Sequence, residues 1–280
     1  MSTTAPIARD LRVVQIGGLT IATDRLDYSQ PDQVLPLFDE QRFFLDELPH
    51  AALGGAHALE IGVGSGVLSI AVARAGAARV TALDINPRAM RLAAINIDRN
   101  CVADRVELEL GDPAIYRPVS GRRFDFVFSN PPFMPSPPGF LCHWHSDAGP
   151  LGLDFVDALL HGLDEHLTDG GRAQIVTAAP GGAEGPSHLL ELIRRHWKGA
   201  ARVVVSPLTV PFSQCMGRLS ANPEAAAETD ALRRYAARQG ATHLYLCVVH
   251  CRRAPGSIDI VQSARRYNMD RLLPATEMPR

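Results

Sequence analysis

Several features that would place the chain in a membrane, secreted or polyanion-binding class are absent from its sequence. No apolar run approaches the roughly 20 residues that a membrane-spanning helix needs. The first residues, Met1 to Pro6, lack the charged and then apolar regions of a signal peptide. The formal net charge is only −2, so no global positive field attracts long nucleic acids. These absences favour a globular protein of the cytoplasm.

Cysteine is also scarce, with five residues in 280 and no regular spacing. An odd, irregular set argues for a reduced cytoplasmic protein, in which Cys247 and Cys251 would pack in the core. Cys142, His143 and His145 are close in sequence, but no second pair of metal ligands stands at a recognised spacing. We therefore predict no metal site.

The most informative stretch is Ala58 to Leu68, which reads ALEIGVGSGVL. It predicts a buried strand, a sharp turn and a helix that begins near Val67, with free N–H groups directed at a ligand. Three glycines, Gly62, Gly64 and Gly66, remove side chains where that ligand would touch the main chain. This tight spacing, with Glu60 before it, suits a cationic ligand such as S-adenosylmethionine better than the pyrophosphate of a dinucleotide.

Three further predicted strands end in polar residues that would surround the same ligand. The strand from Arg79 ends at Asp84, about twenty residues beyond the glycines, where an acid accepts hydrogen bonds from ribose hydroxyls. The next strand ends before Asp112, which could accept a hydrogen bond from an adenine amine. The fourth strand, 124–129, is followed by Asn130 to Phe133, which read NPPF. The carboxyl ends of parallel strands share one edge of a sheet, where ligands bind.

This ordered set of motifs resembles the class I S-adenosylmethionine-dependent methyltransferases, over roughly residues 28–177. The Asn-Pro-Pro-Phe tetrapeptide is similar to that of the branch that methylates planar nitrogens, which includes release-factor glutamine methyltransferases. The resemblance implies S-adenosylmethionine as the cofactor. The implied cofactor contacts are Glu60, Gly62, Gly64, Gly66, Asp84, Ile85, Asp112 and Asn130. In addition, residues 30–33 partly resemble a stretch that approaches the cofactor in glutamine methyltransferases.

The tetrapeptide is the expected catalytic element. We expect the side-chain oxygen of Asn130 and the carbonyl of Pro131 to accept two N–H bonds of the acceptor nitrogen. Pro131 and Pro132 would stiffen the loop, and Phe133 would offer a stacking face. The proline-rich loop that follows should border the acceptor, and its candidate substrate contacts are His143, Trp144 and His145.

The alternation of strands and helices predicts an α/β, Rossmann-like fold: a seven-stranded, mostly parallel sheet with helices on both faces. We expect an N-terminal hairpin and helix over 1–50, a methyltransferase core over 51–253 and a tail over 254–280. The hairpin would turn at Gly17-Gly18, and an amphipathic helix would run from Pro31 to Leu48, with a kink at Pro36.

Two further elements are expected late in the chain. An insertion over 206–240 should add a helix from Ala225 to Gln239, capped by Asn222, before the last strand. It would either cover the acceptor or decorate the surface. Residues 257–261 in the arginine-rich tail predict an extra edge strand.

The sequence leaves the methyl acceptor and the oligomeric state open. A protein glutamine is favoured by the motif family, although only a hairpin and one helix precede the core, where release-factor methyltransferases carry a helical docking domain. A small-molecule acceptor is favoured by the near-neutral charge, the proline-rich loop and the insertion. An adenine amino group of RNA or DNA shares the tetrapeptide, but only the tail is basic. A scaffold that binds the cofactor without transfer is the non-enzymatic alternative.

Overall fold

The computed structural model describes residues 11–137, 144–215 and 226–269 of the chain. The strands are β1 (Leu11–Ile16), β2 (Leu19–Asp24), β3 (His57–Ile61), β4 (Arg79–Asp84), β5 (Val106–Leu110), β6 (Phe124–Ser129), β7 (Leu167–Gly181), β8 (Ala200–Pro211), β9 (His243–Arg252) and β10 (Ile258–Gln262). The helices are α1 (Asp39–Asp46), α2 (Val67–Arg74), α3 (Pro87–Arg99), α4 (Asp154–His166), α5 (Ser187–His196), α6 (Phe212–Cys215) and α7 (Ala226–Arg238).

The central sheet has eight strands in the order β10-β8-β9-β7-β6-β3-β4-β5. Strand β9 pairs antiparallel with β7 and β8, and the other pairings are parallel. The predicted Rossmann-like fold is confirmed, and the edge strand predicted in the tail, β10, is the eighth strand. The strand order reverses between β3 and β6, where a crevice for a ligand forms at the carboxyl edge.

The sheet is buried on both faces because successive side chains of its strands point to opposite sides. In β6, Phe126 and Phe128 belong to the hydrophobic cluster that includes α1, α2 and α3. Val127, between them, belongs to the cluster that includes α4 and α5. The sheet therefore packs against a layer of helices on each face. The polar residues at the carboxyl ends of its strands lie outside this core.

The predicted hairpin is present, with Ile16 paired to Leu19 across the Gly17-Gly18 turn. Its second strand is held to α3 by asparagine side chains. Asn96 accepts a hydrogen bond from the Ala22 N–H at 2.8 Å and donates to the Ala22 carbonyl at 2.7 Å. The same Asn96 amide also donates to the carbonyl of Ser65, in the glycine turn, at 2.8 Å.

The predicted helix from Pro31 to Leu48 is wrong in its first half. Residues 33–38 are not helical, and α1 begins only at Asp39. Pro36 lacks an N–H and cannot donate a helical hydrogen bond, so the segment before it does not form a helix. Phe38 then adopts an extended conformation as the N-cap, and its N–H donates to the Gln41 side chain at 2.7 Å.

The predicted insertion begins as strand, because β8 extends to Pro211. The expected helix is present as α7, while its predicted start at Ala225 and the cap Asn222 lie outside the described residues. Phe212 and Leu232 pack into the core cluster on the α1 face. The described part of the insertion lines none of the cavity presented below.

Cys247 and Cys251 are buried in β9, as predicted, and burial raises the pKa of the Cys251 thiol to about 12. Over the described ranges, no three His, Cys, Asp or Glu side chains converge in a way that would hold a metal ion. Cys142 and His143 lie outside those ranges. None of the helices described is both long enough and apolar enough to span a membrane.

Candidate active site

A cavity with about 1080 Å³ of empty space, part of which is open to solvent, lies at the carboxyl edge of the four strands whose ends the sequence singled out. The predicted site residues that line it are Glu60, Gly62, Gly64, Asp84, Ile85, Asp112, Asn130, Pro132, Trp144 and His145. Gly66, Pro131 and Phe133 are absent from its lining. The parallel register of β3 with β4 and with β6 brings these strand ends together.

The glycine turn shapes one wall of the cavity. Gly62 and Gly64 have φ values of 82° and 51°, which an L side chain rarely adopts. The N–H groups of Gly62 and Gly64 donate to the Leu83 carbonyl at 2.8 Å and to Asp84 Oδ2 at 2.9 Å. These two N–H groups are engaged within the protein. The turn therefore offers a wall without side chains rather than a row of donors.

Gly66 serves helix packing. It caps α2 with a φ of 82°, and a Cβ there would lie 3.3 Å from the Ala93 Cβ of α3. Its missing side chain lets α2 and α3 approach closely. The sequence correctly places a glycine requirement at this position, but the structure gives it a packing role.

Two acids, Glu60 and Asp84, lie at the carboxyl ends of β3 and β4. Glu60 is 1% exposed and accepts a hydrogen bond from the Ser69 hydroxyl, and burial raises its pKa well above the usual range. Asp84 accepts hydrogen bonds from the N–H groups of Gly64 and Asn86, each at 2.9 Å, and burial raises its pKa as well. A buried carboxylate is stabilised by an opposite charge or by further donors, so both side chains favour a ligand that supplies them.

The far end of the cavity is formed by the ends of β4 and β5. Ile85 is 49% exposed and presents an apolar side chain beside the cavity. Asp112 accepts hydrogen bonds from the Arg117 guanidinium and from the Ala114 N–H, and the Arg117 contact lowers its pKa. Asp112 therefore stays ionised at neutral pH, as an acceptor beside an apolar surface.

The Asn-Pro-Pro-Phe element follows β6, on the side of the cavity opposite the ends of β4 and β5. The Ser129 hydroxyl ties the end of β6 to the Ile61 carbonyl of β3 at 2.6 Å. Asn130 lines the cavity, and its buried Oδ1 has no hydrogen-bond partner among the described residues. An unpaired buried acceptor costs roughly 1–3 kcal/mol, so this atom is suited to receive an N–H from a ligand.

Phe133 does not have the position expected of it. Its side chain is 1% exposed and belongs to the core cluster on the α1 face. An aromatic ring inside the core offers no stacking face to an acceptor. The expected stacking role is therefore wrong, and the ring instead anchors the loop that carries Asn130.

Two segments meet over the cavity and form what we call the roof, residues 31–37 and 144–146. The Trp144 N–H donates to the Pro31 carbonyl at 3.0 Å. Gln33 Nε2 donates to the carbonyls of Arg25 and Tyr28, which leaves its Oε1 to face His145 Nε2 at 3.1 Å. This geometry places the His145 ring proton on Nε2.

The sequence indicated the roof only in part. The partial resemblance over residues 30–33 predicted that this segment approaches the cofactor, and Gln33 of this segment lines the cavity. Trp144 and His145 line the cavity as expected, while His143 lies outside the described residues. Sequence reasoning missed Leu35, Gln41 and Phe155, which also line the cavity. Their contacts with it depend on the fold, and no local motif marks them.

Comparisons with known proteins agree with this geometry. A sequence model described as ribosomal protein L11 methyltransferase (PrmA) matches residues 42–131. A Methanocaldococcus jannaschii protein named as a candidate protein N5-glutamine methyltransferase is 31% identical over 162 residues, which are 56% of this chain and 77% of that protein. The chain belongs to the class I S-adenosylmethionine-dependent methyltransferases, in the Asn-Pro-Pro-Phe branch.

Two release factor glutamine methyltransferases match over a smaller share of their own length. The release factor glutamine methyltransferase of Gloeobacter violaceus is 33% identical over 54% of this chain and 58% of that protein. The corresponding enzyme of Geobacter sulfurreducens is 31% identical over 50% of this chain and 51% of that protein. The chain thus spans about half the length of these release-factor enzymes.

Solved structures support the fold of the methyltransferase. A Streptococcus mutans structure described as a SAM-dependent methyltransferase has a TM-score of 0.54 at 14% identity, and covers 89% of this chain and 57% of that chain. A methyltransferase structure complexed with SAH has a TM-score of 0.51 at 16% identity, over 86% of this chain and 56% of that chain.

Proposed function

We propose that the methyltransferase methylates the nitrogen of a carboxamide, in the manner of a protein glutamine methyltransferase. The observation that carries the proposal is the buried, unpartnered Oδ1 of Asn130 in the wall of the cavity. An amide NH₂ is a donor that would satisfy this acceptor. The glutamine named in the relatives supports a carboxamide rather than another planar nitrogen.

Asn130 and Pro131 would direct the acceptor nitrogen. An amide nitrogen is a poor nucleophile because its lone pair is delocalised, so catalysis depends on orientation and on stabilising the charge that develops. The Asn130 Oδ1 would accept one N–H bond and the Pro131 carbonyl the other. The two prolines fix φ and hold these two oxygens in place.

The cavity fits S-adenosylmethionine, which supplies a methyl group on a cationic sulfonium when it is bound. Glu60, buried and without a cationic partner among the described residues, would face the positively charged methionyl part. Asp84 would accept hydrogen bonds from the ribose hydroxyls, and Ile85 and Asp112 would border the adenine. Along the cavity wall, a charged, a polar and an apolar region would therefore face the methionyl, ribose and adenine groups of the cofactor in that order.

A small-molecule acceptor is the second candidate, and the roof favours it. The hydrogen bonds from Trp144 to Pro31 and from His145 to Gln33 join the two segments of the roof and would limit the space for an acceptor. A compact acceptor fits under a closed roof, whereas a protein side chain requires an opening beside it.

In the first experiment, purified enzyme is incubated with methyl-labelled cofactor and with a lysate of its host that has been separated into protein, RNA and small-molecule fractions. Label in a protein band supports the glutamine acceptor, and label only in small molecules favours the second candidate. The variant Asn130→Ala should lose on the order of 10²–10³-fold in turnover. Its affinity for SAH, measured by calorimetry, should stay close to that of wild type. Retained turnover would exclude the role given to Asn130.

A further inference from the structure

We propose that Gln41 is a specificity-determining residue, whose Nε2 donates a hydrogen bond to the carbonyl oxygen of the acceptor amide held by Asn130. This inference rests on the proposed carboxamide acceptor and extends it to a second contact. Gln41 lies in the first turn of α1, lines the cavity and is only 3% exposed.

The orientation of the Gln41 amide follows from its partner. The Phe38 N–H donates to Gln41 Oε1 at 2.7 Å. A backbone N–H requires an acceptor, so the oxygen must face Phe38 and the NH₂ group must be at the other side of the amide. This Nε2 has no hydrogen-bond partner among the residues that the structure describes, in a side chain that is almost fully buried. A ligand oxygen would satisfy it.

The packing of α1 puts Gln41 on the Asn130 side of the cavity. The Phe44 ring lies 5.9 Å from the Phe128 ring of β6. The Phe44 carbonyl accepts a hydrogen bond from Gln174 of β7 at 2.7 Å. Gln41, one turn before Phe44 and in the cavity wall, therefore lies near the carboxyl end of β6. The nucleoside end, at β4 and β5, is on the opposite side of β3.

Together, the two amides present an acceptor, Asn130 Oδ1, and a donor, Gln41 Nε2. A primary carboxamide is complementary to this pair, because it carries an NH₂ group and a carbonyl oxygen on the same carbon. The N6–N1 edge of adenine offers the same order of donor and acceptor. The net charge of −2 and the glutamine named in the relatives favour the carboxamide. A simple amine lacks the oxygen that Gln41 would bind.

The test is Gln41→Glu. A carboxylate still accepts the Phe38 N–H, so the start of α1 is preserved, but the NH₂ donor is replaced by an acceptor that repels a carbonyl oxygen. With the host protein fraction as acceptor, kcat/KM should fall roughly 10- to 100-fold. The affinity for SAH should stay within about twofold. The buried carboxylate should lower the Tm, so the assay is run well below the Tm of the variant. Gln15→Glu, on the exposed face of the hairpin, controls for the added charge.

Each other outcome has a definite meaning. A clear loss of SAH affinity in Gln41→Glu would assign the contact to the cofactor and overturn the inference. Unchanged kcat/KM on a protein acceptor would overturn it while leaving the proposed function intact. If the wild-type enzyme labels only adenine in RNA, the proposed function fails and the carboxamide assignment fails with it.

Discussion

Gly111, at the end of β5, provides the sharpest test of where the nucleoside end of the cavity lies. Its N–H donates to the Asp84 carbonyl at 2.8 Å. A Cβ at this position would lie 2.8 Å from the Asp84 carbonyl carbon and 3.0 Å from the Ile85 nitrogen. Both are backbone atoms and cannot rotate away. The substitution Gly111→Ala must therefore push the ends of β4 and β5 apart.

The size of the effect follows from that overlap. Forcing one methyl group into a packed site costs about 1–3 kcal/mol. For a chain of this size, each kcal/mol lowers the Tm by roughly 2–4 °C. The displacement also separates Asp84 and Ile85 from Asp112, so we expect SAH affinity to fall about tenfold, equivalent to about 1.4 kcal/mol. Asn130, which follows β6 on the other side of β3, should keep its place.

The assay is calorimetric titration with SAH together with thermal unfolding. The matched control is Gly54→Ala, because Gly54 has an ordinary φ and a Cβ there would meet nothing within 4 Å. Its Tm and SAH affinity should match wild type. Wild-type SAH affinity in Gly111→Ala would refute the position assigned to the nucleoside. Equal losses in the two variants would refute the steric argument.

Two further predictions concern buried charge. Because burial raises the pKa of Glu60, the ligand-free enzyme should lose stability as pH rises from the ordinary value of 4.5 through the raised pKa, by up to ~1.4 kcal/mol per pH unit. Urea unfolding measured at several pH values should show no such slope for Glu60→Gln, and calorimetric titration should show weaker SAH binding by this variant. The same slope in the variant and the wild type would contradict the assignment to Glu60. Asp24, fully buried, binds Arg88 and accepts the Val34 N–H at 2.7 Å, so Asp24→Asn should lower the free energy of unfolding by about 3 kcal/mol. In the same urea assay, Asp27→Asn in an exposed ion pair should leave stability unchanged, and equal effects of the two variants would contradict the role of burial.

The carboxyl edge of the sheet was predictable because its signals are local. Strands β3 to β6 are short, and each ends in or is followed by glycine, aspartate or asparagine. The start of α2 at Val67 follows directly from Gly66, whose left-handed conformation ends the turn. The carboxyl ends of parallel strands share one edge of a sheet, so a cavity among these motifs could be expected.

The roof and the Gln41 contact could not be predicted in the same way. Gln33 and His145 are 112 residues apart, and their hydrogen bond exists only once the sheet brings both segments to one edge. The periodic apolar pattern after Pro31 suggested a helix, but Leu35 and Leu37 of this pattern line the cavity in a segment that is not helical. Phe133 was misjudged because Asn130 and Pro132 of the same motif line the cavity, while the Phe133 side chain packs in the core.

The hydrogen bonds of Asn96 have a consequence for protein engineering. The Asn96 side-chain amide makes two hydrogen bonds with the Ala22 backbone, as a neighbouring strand would. It also donates to the Ser65 carbonyl of the glycine turn. The register of the hairpin and the shape of the turn are thereby coupled through a single residue. A graft of this α/β core that omits the hairpin would release the Asn96 side chain and leave the glycine turn without one of its supports. The hairpin must therefore be transplanted together with the core.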